Sequence, residues 1–390
     1  MTDGVVEGAD VAARVALTWL AEPGNRVVWA LVKAHGATET LERLLRGDIP
    51  DGPLRAAVNA RTANADARKV AEAALRRGER VGARLIVPGS PEWPPCVDEL
   101  AGLEMTAPGR VNWDTRTPLC FWVRGEHPLH ETLDRSIAVV GARAATSYGT
   151  HVTHEMAYQL AGERWTVVSG GAFGIDAAAH RAALAAGGRT VAVLACGVDR
   201  PYPVGNTAMF ERVLAKGLLI SEWPPGAEPL RHRFLIRNRV IAAATAGTVV
   251  VEASARSGAA QTMSRVLALN RRAMVVPGPV TSAMSVGCHE LLRTHPYARL
   301  VTSAADVLEE VGRAGEYLAP PPRGREHPRD ALDEESALIL EALPRNGTST
   351  PEEISAGARL GLRTVLRRLS LLEAEGLVVR RESGIALARS

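Results

Sequence analysis

The segment VVSGGAFGIDAAAH, residues 167–180, joins a short apolar run to an alanine-rich stretch through three closely spaced glycines. Glycine lets backbone N–H groups approach an anion closely, and the positive end of a following helix adds to the attraction. The segment therefore predicts a strand that turns into a helix around a phosphate. That phosphate belongs to a nucleotide cofactor, a small substrate or a nucleic-acid backbone, and the segment alone leaves all three open.

Similar turns of small residues follow other apolar runs, at Gly141, at Cys196-Gly197 and at Ser257-Gly258. If each turn follows its own strand of one parallel sheet, all of them lie together beyond the carboxyl ends of the strands. Several adjacent anion sites suit a chain of phosphates better than a single phosphate. For any one loop, the alternative that its glycines only make a tight turn stays open.

Basic residues lie close to these turns in the sequence. Arg143 directly follows the first apolar run, and the segment RHRFLIRNRVIAAA, residues 231–244, contains no acidic residue. Because the planar fork of arginine suits phosphate contacts, we expect these arginines to reach the same edge of the sheet, beyond the carboxyl ends of the strands. A solvated helix face is the alternative for the charge run. Phe173 and Phe234 either stack on bases or belong to the core.

The motifs of the common nucleotide cofactors are absent. The first strand ends in Gly141-Ala142-Arg143 and the next glycine is Gly149, so the pattern GxGxxG fails. The second strand ends at Ser169-Gly170 instead of the acidic residue that would hold a ribose hydroxyl. A P-loop is also missing. We therefore expect no cofactor.

Composition narrows the class of protein. A chain of 390 residues with 46% hydrophobic content has room for two or three domains. Its apolar runs are shorter than a membrane span and its N-terminus lacks the pattern of a signal peptide, so we expect a cytoplasmic protein. The four cysteines are scattered, which predicts no zinc site. Since the net charge is only +3, nucleic-acid binding would depend on local basic clusters.

Apolar runs recur through residues 81–318, with helical segments between most of them. Continuous hydrophobicity means that both faces of a strand are covered, which is typical of a parallel sheet between helices. This pattern predicts an α/β fold with a Rossmann-like, doubly wound and mostly parallel sheet. The runs are SIAVVGAR, WTVVSGG, TVAVLACG, GLLISEWP, GTVVVEAS and AMVVPGPV.

Two smaller domains flank the sheet in this prediction. Residues 1–80 contain short helical patterns and predict a small helical domain of the helix-hairpin-helix or SAM type. Residues 319–330 form a proline-rich linker. Residues 331–390 predict three helices and a β-wing, which is the pattern of a winged-helix domain.

The winged-helix domain is close to neutral, with eight arginines and nine acidic residues in residues 331–390. Arg363, Arg367 and Arg368 nevertheless cluster on its third helix, where a recognition helix meets a DNA groove. Duplex binding and a protein-contact role both stay open, and the charge favours the second.

No set of residues predicts catalysis. The strongest enzymatic alternative is a nucleoside-monophosphate phosphoribohydrolase of the lysine-decarboxylase-like kind, which needs a PGGxGTxxE-type loop to present a glutamate to the ribose. Here Glu252 precedes the corresponding loop, and no acidic residue follows its glycine. Asp176 and His180 lack a neighbouring nucleophile, and His151 and His154 lack a third metal ligand. We expect a protein that is not an enzyme.

Seven segments, taken together, resemble the signature blocks of the DNA-processing protein A (DprA/Smf) family. They occur in order over residues 141–280, and the combination of SGGA-x-GID with RNR is specific. The segments are GARAATSYG, SGGAFGIDAAAH, GVDRPYPVGN, ISE, FLIRNRVIAA, VVVEASARSGAAQT and VPGPV.

The resemblance implies an extended Rossmann fold without a nucleotide cofactor. It also implies binding and protection of incoming single-stranded DNA in natural transformation, loading of the RecA recombinase onto that DNA for homologous recombination, and a homodimer. We expect the turn Ser257-Gly258 to add to the DNA-binding surface. Carried over residue by residue, the resemblance assigns DNA binding to Arg143, Ser169, Gly170, Gly171, Ala172, Phe173, Gly174, Arg237, Asn238 and Arg239.

The chain departs from the family's pattern at two places. After Tyr202-Pro203 many members carry a lysine that helps the DNA groove, whereas Val204-Gly205 stand here, so the resemblance does not imply that contact. Further on, His289 stands where members usually place asparagine, and RTHPYA replaces a glycine-alanine pair. The resemblance therefore does not carry over the local details of the late α/β region, near the expected dimer face.

Overall fold

The computed structural model describes residues 8–49, 51–103, 116–255, 258–313, 315–317 and 332–388. The chain divides into two compact units, Met1–Ala319 and Pro320–Ser390. The predicted linker at 319–330 and the predicted binding residue Ser257 lie outside the described residues.

Within the described residues, the first unit contains one nine-stranded sheet. The strands are β1 (Ala83–Ile86), β2 (Phe121–Arg124), β3 (Ser136–Val140), β4 (Thr166–Ser169), β5 (Thr190–Leu194), β6 (Leu218–Ser221), β7 (Gly247–Val250), β8 (Arg272–Val275) and β9 (Ala298–Leu300). They lie side by side in the order β1-β2-β6-β5-β4-β3-β7-β8-β9. The strands from β3 to β9 pair in parallel, while β1 and β2 are antiparallel additions at one edge.

The six apolar runs predicted as strands are β3 to β8, and the predicted α/β class is confirmed. Every residue of β3 is buried, because its side chains alternate between two cores. Ala138 and Val140 face one core, and Ile137 and Val139 face the other. The continuous hydrophobicity of the sequence is thus the signature of a sheet that is covered on both faces.

Helices cover both faces of this sheet. One core includes side chains of α5, α9, α10 and α11, and the cores on the opposite face include side chains of α6, α7, α8 and α12. The helices are α5 (Leu129–Asp134), α6 (Ser147–Gly162), α7 (Ile175–Ala185), α8 (Thr207–Lys216), α9 (Arg231–Ala243), α10 (Gly258–Ala268), α11 (Val286–Thr294) and α12 (Ala304–Val311), preceded by the N-terminal helices α1 (Gly8–Leu20), α2 (Arg26–Arg46), α3 (Gly52–Thr62) and α4 (Ala67–Arg80).

The N-terminal helices belong to the same compact unit as the sheet. Their hydrophobic core is continuous with Trp122 of β2 and Phe210 of α8. Gly78 of α4 lies so close to Trp122 that an added Cβ would stand 2.4 Å from the indole ring. Gly36, with φ of +79°, interrupts α2. The boundary predicted at residue 80 therefore does not separate two compact units.

The second unit contains three helices and a two-stranded antiparallel sheet, counted over residues 332–388. Its elements are α13 (Glu334–Ala342), α14 (Pro351–Ala358), α15 (Leu362–Ala374), β10 (Val378–Arg381) and β11 (Gly384–Leu387). Ile339, Ile354, Val365 and Leu369 lie in its core. This order of elements is that of the predicted winged helix. In neither unit do the described residues include a helix long and apolar enough to cross a membrane.

Candidate functional site

A cleft lies where the order of the strands reverses. β3 pairs with β4 on one side and with β7 on the other, and the helices that follow β3 and β7 pack on opposite faces of the sheet. Ligands of open α/β sheets bind at such a point, beyond the carboxyl ends of the strands. The cleft has a volume of about 510 Å³. Its lining includes Gly141, Arg143, Ala172, Asp176, Arg231, Phe234, Arg237, Asn238, Ser254, Gly258 and Thr262.

The loop from Ser169 to Gly174 forms one wall of the cleft and is held by Asp176. Oδ2 of Asp176 accepts hydrogen bonds from the N–H groups of Gly170, at 3.2 Å, and Ala172, at 3.3 Å. Burial raises the pKa of Asp176, while the charge of Arg237 and these hydrogen bonds oppose the shift. These hydrogen bonds give Asp176 a structural role at the start of α7.

The hydrogen bonds to Asp176 reduce the number of loop N–H groups that can bind a phosphate. The N–H groups of Gly170 and Ala172 already bond Asp176, so they are not available to a ligand. Ser169 is fully buried, and its hydroxyl donates to the carbonyl of Val139 at 2.7 Å. The N–H groups of Phe173 and Gly174 have no acceptor among the described residues, and they directly precede α7. The positive end of α7 therefore coincides with two free donors.

Two glycines of this loop are required by space as well as by backbone conformation. Gly171 has φ of +70°, and a Cβ there would stand 2.5 Å from the ring of Phe210. Gly174 has φ of +76°, and a Cβ there would stand 2.2 Å from the carbonyl oxygen of Ala142. Side chains at these positions would displace the loop, so the glycines allow its close turn.

Arg237 supports the loop from the side of α9. Its Nη1 donates to the carbonyl of Gly170 at 2.9 Å and also to the carbonyl of Val193. Its Nε donates to Oδ1 of Asn238 at 3.1 Å, which leaves the amide N–H groups of Asn238 to the cleft. Burial lowers the pKa of Arg237 to about 10, so the side chain stays charged at neutral pH. Arg237 is 5% exposed, and its main contacts are with the protein.

Arg239 does not reach the cleft. Its side chain is fully buried and forms an ion pair with Glu222, which follows β6. The two arginines of the RNR motif are two positions apart on a helix, so they point about 200° apart. Arg237 therefore faces the loop while Arg239 faces away from it. The expected phosphate contact of Arg239 does not fit this placement, and the helical period was the signal in the sequence that could have shown it.

One aromatic ring, that of Phe234, lines the cleft, and two more lie near it: Tyr202 contacts Phe234, and Phe173 directly follows the lining residue Ala172. Phe173 is 50% exposed, and Tyr202 is 43% exposed. The rings of Tyr202 and Phe234 meet edge to face with centroids 5.9 Å apart. The guanidinium of Arg143 lies 5.2 Å from the centroid of Phe234. The sequence offers Phe173 and Phe234 either for stacking on bases or for the core, whereas it gives no such signal for Tyr202.

The departure at Val204-Gly205 changes the edge of this aromatic group. Val204 is 75% exposed, so this position offers an apolar side chain to solvent. A Cβ at Gly205 would stand 3.0 Å from the ring of Phe173. The glycine therefore allows the turn after Tyr202 to pack against the Phe173 ring.

The charge of the cleft is positive. Arg143 and Arg231 are exposed and lie on its lining, and neither forms an ion pair with a described acidic residue. Asp176, the acidic residue of the lining, is buried and bonded to the loop. Gly258 begins α10 on the opposite wall. The cleft thus contains two available arginines and the ring of Phe234, and two backbone donors and two exposed rings lie next to its lining residues, which is a set suited to phosphates and aromatic bases.

The residues considered for catalysis are occupied elsewhere. Glu252 is buried and accepts from the N–H of Thr146 at 2.9 Å and from its hydroxyl at 2.5 Å, so it stabilises the start of α6. His180 is buried, hydrogen-bonded to Thr190 at 2.7 Å, and burial lowers its pKa to about 3. The described residues contain no group of three His, Cys, Asp or Glu side chains close enough to hold a metal.

We expect Asp176→Ala to loosen the loop, because the variant leaves the N–H groups of Gly170 and Ala172 without their acceptor. Each hydrogen bond to a charged group is worth about 1.5–3 kcal/mol. Amide hydrogen exchange should accelerate at Gly170 and Ala172 and the melting temperature should fall. Glu155→Ala, an exposed substitution on α6, is the control. Unchanged exchange in the Asp176 variant would contradict the bracing role.

A family profile and several curated relatives agree on one family. A sequence profile of DNA recombination-mediator protein A matches residues 84–312. A DprA homologue from Mycobacterium tuberculosis is 44% identical over 375 residues, which cover 96% of this chain and 93% of the homologue. The DNA processing protein DprA of Streptococcus pneumoniae is 41% identical over 174 residues, which cover 45% of this chain and 61% of that protein.

The fold agrees with a solved member of the same family. The X-ray structure of DprA from Streptococcus pneumoniae superposes with a TM-score of 0.60 at 27% identity, and the match covers 80% of this chain and 99% of that one. The resemblance inferred from the signature segments is thereby confirmed. This chain belongs to the DNA recombination-mediator protein A (DprA/Smf) family.

Proposed function

We propose that this protein binds single-stranded DNA along the cleft, protects incoming DNA in natural transformation and delivers it to the RecA recombinase. One observation carries the proposal: available arginines and exposed aromatic rings meet at one concave site. Arg143 and Arg231 form no ion pair with a described residue. Phe234 lines the same cleft, Tyr202 contacts its ring, and the exposed Phe173 directly follows the lining residue Ala172. Family membership supports a role in DNA processing and recombination.

The aromatic rings favour a single strand over a duplex. Single strands bind in grooves that neutralise phosphates while successive bases stack on aromatic side chains. In a duplex, the faces of the bases are already covered by their neighbours, so Phe173 and Tyr202 would find no stacking partner. The cleft is rich in groups that donate hydrogen bonds to phosphates, and every base has an aromatic face. Binding should therefore be nearly independent of the DNA sequence.

Each residue of the cleft has a distinct part in the proposal. Arg143 and Arg231 neutralise phosphates, and the N–H groups of Phe173 and Gly174 donate to a phosphate at the start of α7. Asn238 donates from the opposite side. Ser169, Gly170, Gly171, Ala172 and Arg237 shape the loop, and Arg239 is excluded from direct contact because it is buried against Glu222. Gly258 lies at the far wall, and a contact by Ser257 stays a prediction.

The cleft supports binding without catalysis. Asp176 is bonded to two backbone N–H groups, and Glu252 is bonded to Thr146, so neither is placed to act on a ribose. We therefore propose that the protein is not an enzyme. Delivery to RecA, a homodimer and a cytoplasmic location are parts of the same proposal that depend on family membership. A pull-down with the cognate recombinase in the presence of single-stranded DNA tests the first, and no capture would remove it.

Arg143→Ala should weaken binding of oligo-dT about tenfold, because it removes a charge-assisted interaction with a phosphate. The slope of log affinity against log salt should become shallower by about 0.7 for each phosphate that the variant no longer neutralises. Fluorescence anisotropy titrations at several salt concentrations measure both quantities. Arg189→Ala, an exposed substitution just before β5 at the amino ends of the strands, is the matched control. If Arg143→Ala binds as tightly as the wild type, the cleft is not the phosphate site.

Phe173→Ala should also weaken binding of oligo-dT, because stacking of one base on an aromatic ring is worth about 1–3 kcal/mol. Its salt slope should stay that of the wild type, since the substitution changes no charge. Tyr158→Ala removes a comparably exposed ring, 46% exposed on α6, and should have no effect. A changed salt slope, or equally weakened binding in both variants, would argue against stacking at Phe173.

A further inference from the structure

Helix α9 supplies several lining residues of the cleft, but the charges in its first turn oppose helix formation. Arg231, His232 and Arg233 occupy its first turn, where no acidic residue occurs. Positive charges at a helix N-terminus oppose the helix dipole. Leu230 precedes the helix and supplies no capping side chain for the free N–H groups of the first turn. The stability of this turn must therefore come from outside the helix.

Glu22, which lies just after α1, supplies the missing negative charge. It stands 211 positions away from Arg233 in the sequence. Its carboxylate accepts from Nε of Arg233 at 3.1 Å and from Nη2 at 2.9 Å, so the two side chains form a forked pair. The Nε2 atom of His232 also lies 3.6 Å from this carboxylate. One positive charge of the first turn of α9, that of Arg233, is thus paired with a carboxylate that follows α1, while Arg231 stays unpaired.

Two further contacts fix this carboxylate in place. The indole N–H of Trp223 donates to Glu22 at 2.9 Å, and Arg61 of α3 donates at 3.2 Å. The guanidinium of Arg233 lies 5.6 Å from the ring centroid of Trp223, so the pair is held from the side as well. Burial alone would raise the pKa of Glu22, but the bonds from Arg233 and Trp223 outweigh it and lower the pKa. The carboxylate is therefore charged at neutral pH.

We propose that Glu22 is a positioning residue for the binding of single-stranded DNA, because it holds the first turn of α9 at the cleft. Arg231, two positions before Arg233, and Phe234, directly after it, line the cleft, whereas Glu22 does not. A shift of this turn would move the phosphate contact of Arg231 and the ring on which Arg143 lies. The N-terminal helices thus contribute to DNA binding without touching the strand. This inference rests on the proposed function.

The sign of the effect separates positioning from simple electrostatics. Removing a negative charge near a site for a polyanion should strengthen binding if only the electric field changes. If Glu22 positions α9, its removal should weaken binding instead. Glu22→Gln is therefore expected to bind oligo-dT about fivefold more weakly. Its salt slope should become shallower by no more than about 0.7, because the contact of Arg231 is the one phosphate contact that the shifted turn weakens.

Glu228→Gln is the matched control. Glu228 lies three positions before α9 and its side chain is 74% exposed, with Arg200 at 3.5 Å as its ion-pair partner. The Glu228→Gln variant should bind oligo-dT as tightly as the wild type does, or slightly more tightly. If Glu22→Gln binds oligo-dT as tightly as this control, the positioning role is overturned. The proposed function still stands in that case, provided that the wild type binds oligo-dT. Failure of the wild type itself to bind would remove the proposed function as well.

A charge-neutral variant covers the case in which Glu22→Gln does not fold. Trp223→Phe keeps an aromatic ring beneath Arg233 but removes the N–H that donates to Glu22. It should weaken oligo-dT binding about twofold or more, since it removes one hydrogen bond to a charged group. Circular dichroism confirms the folded state of each variant. Wild-type affinity in a folded Trp223→Phe protein would count against the inference.

Discussion

Opposite charges buried on either side of the Ser169–Gly174 loop fix the shape on which the binding surface depends. Asp176 accepts from two N–H groups of the loop, and Arg237 donates to the carbonyl of Gly170. A buried charge is costly unless it is paired and hydrogen-bonded. Burial raises the pKa of Asp176 and lowers that of Arg237 to about 10, and the attraction between the two residues opposes both shifts. Together they make the loop a rigid wall of the cleft.

The arginines of α9 illustrate how one basic segment serves several physical purposes. Arg231 is exposed at the cleft, Arg233 pairs with Glu22, Arg237 braces the loop and Arg239 pairs with Glu222. Successive helix positions differ by about 100° in direction, so neighbouring arginines meet different surroundings. A charge run that resembles a simple basic patch therefore contains one available cation and three structural ones. Outside α9, Arg143 supplies the second available charge.

Much of the fold could be predicted from the sequence because it follows from local patterns. Continuous apolar runs predicted β3 to β8, and the glycine-rich turns after them indicated the cleft at the carboxyl ends of the strands. The details that the sequence did not show depend on tertiary contacts. Asp176 accepts hydrogen bonds from two loop N–H groups that the glycine-rich sequence suggests are free for a ligand. Arg239 is buried by packing. The pair of Glu22 and Arg233 joins distant segments that share no local pattern.

The central claim is that the cleft binds single-stranded DNA through phosphates and stacked bases. The most direct test titrates the purified protein with labelled oligo-dT and with a duplex of equal length, and follows fluorescence anisotropy at several salt concentrations. We predict preferential binding of the single strand, with an affinity that falls as salt rises. No binding of the single strand, together with measurable cleavage of nucleoside monophosphates, would contradict this claim and favour the phosphoribohydrolase alternative.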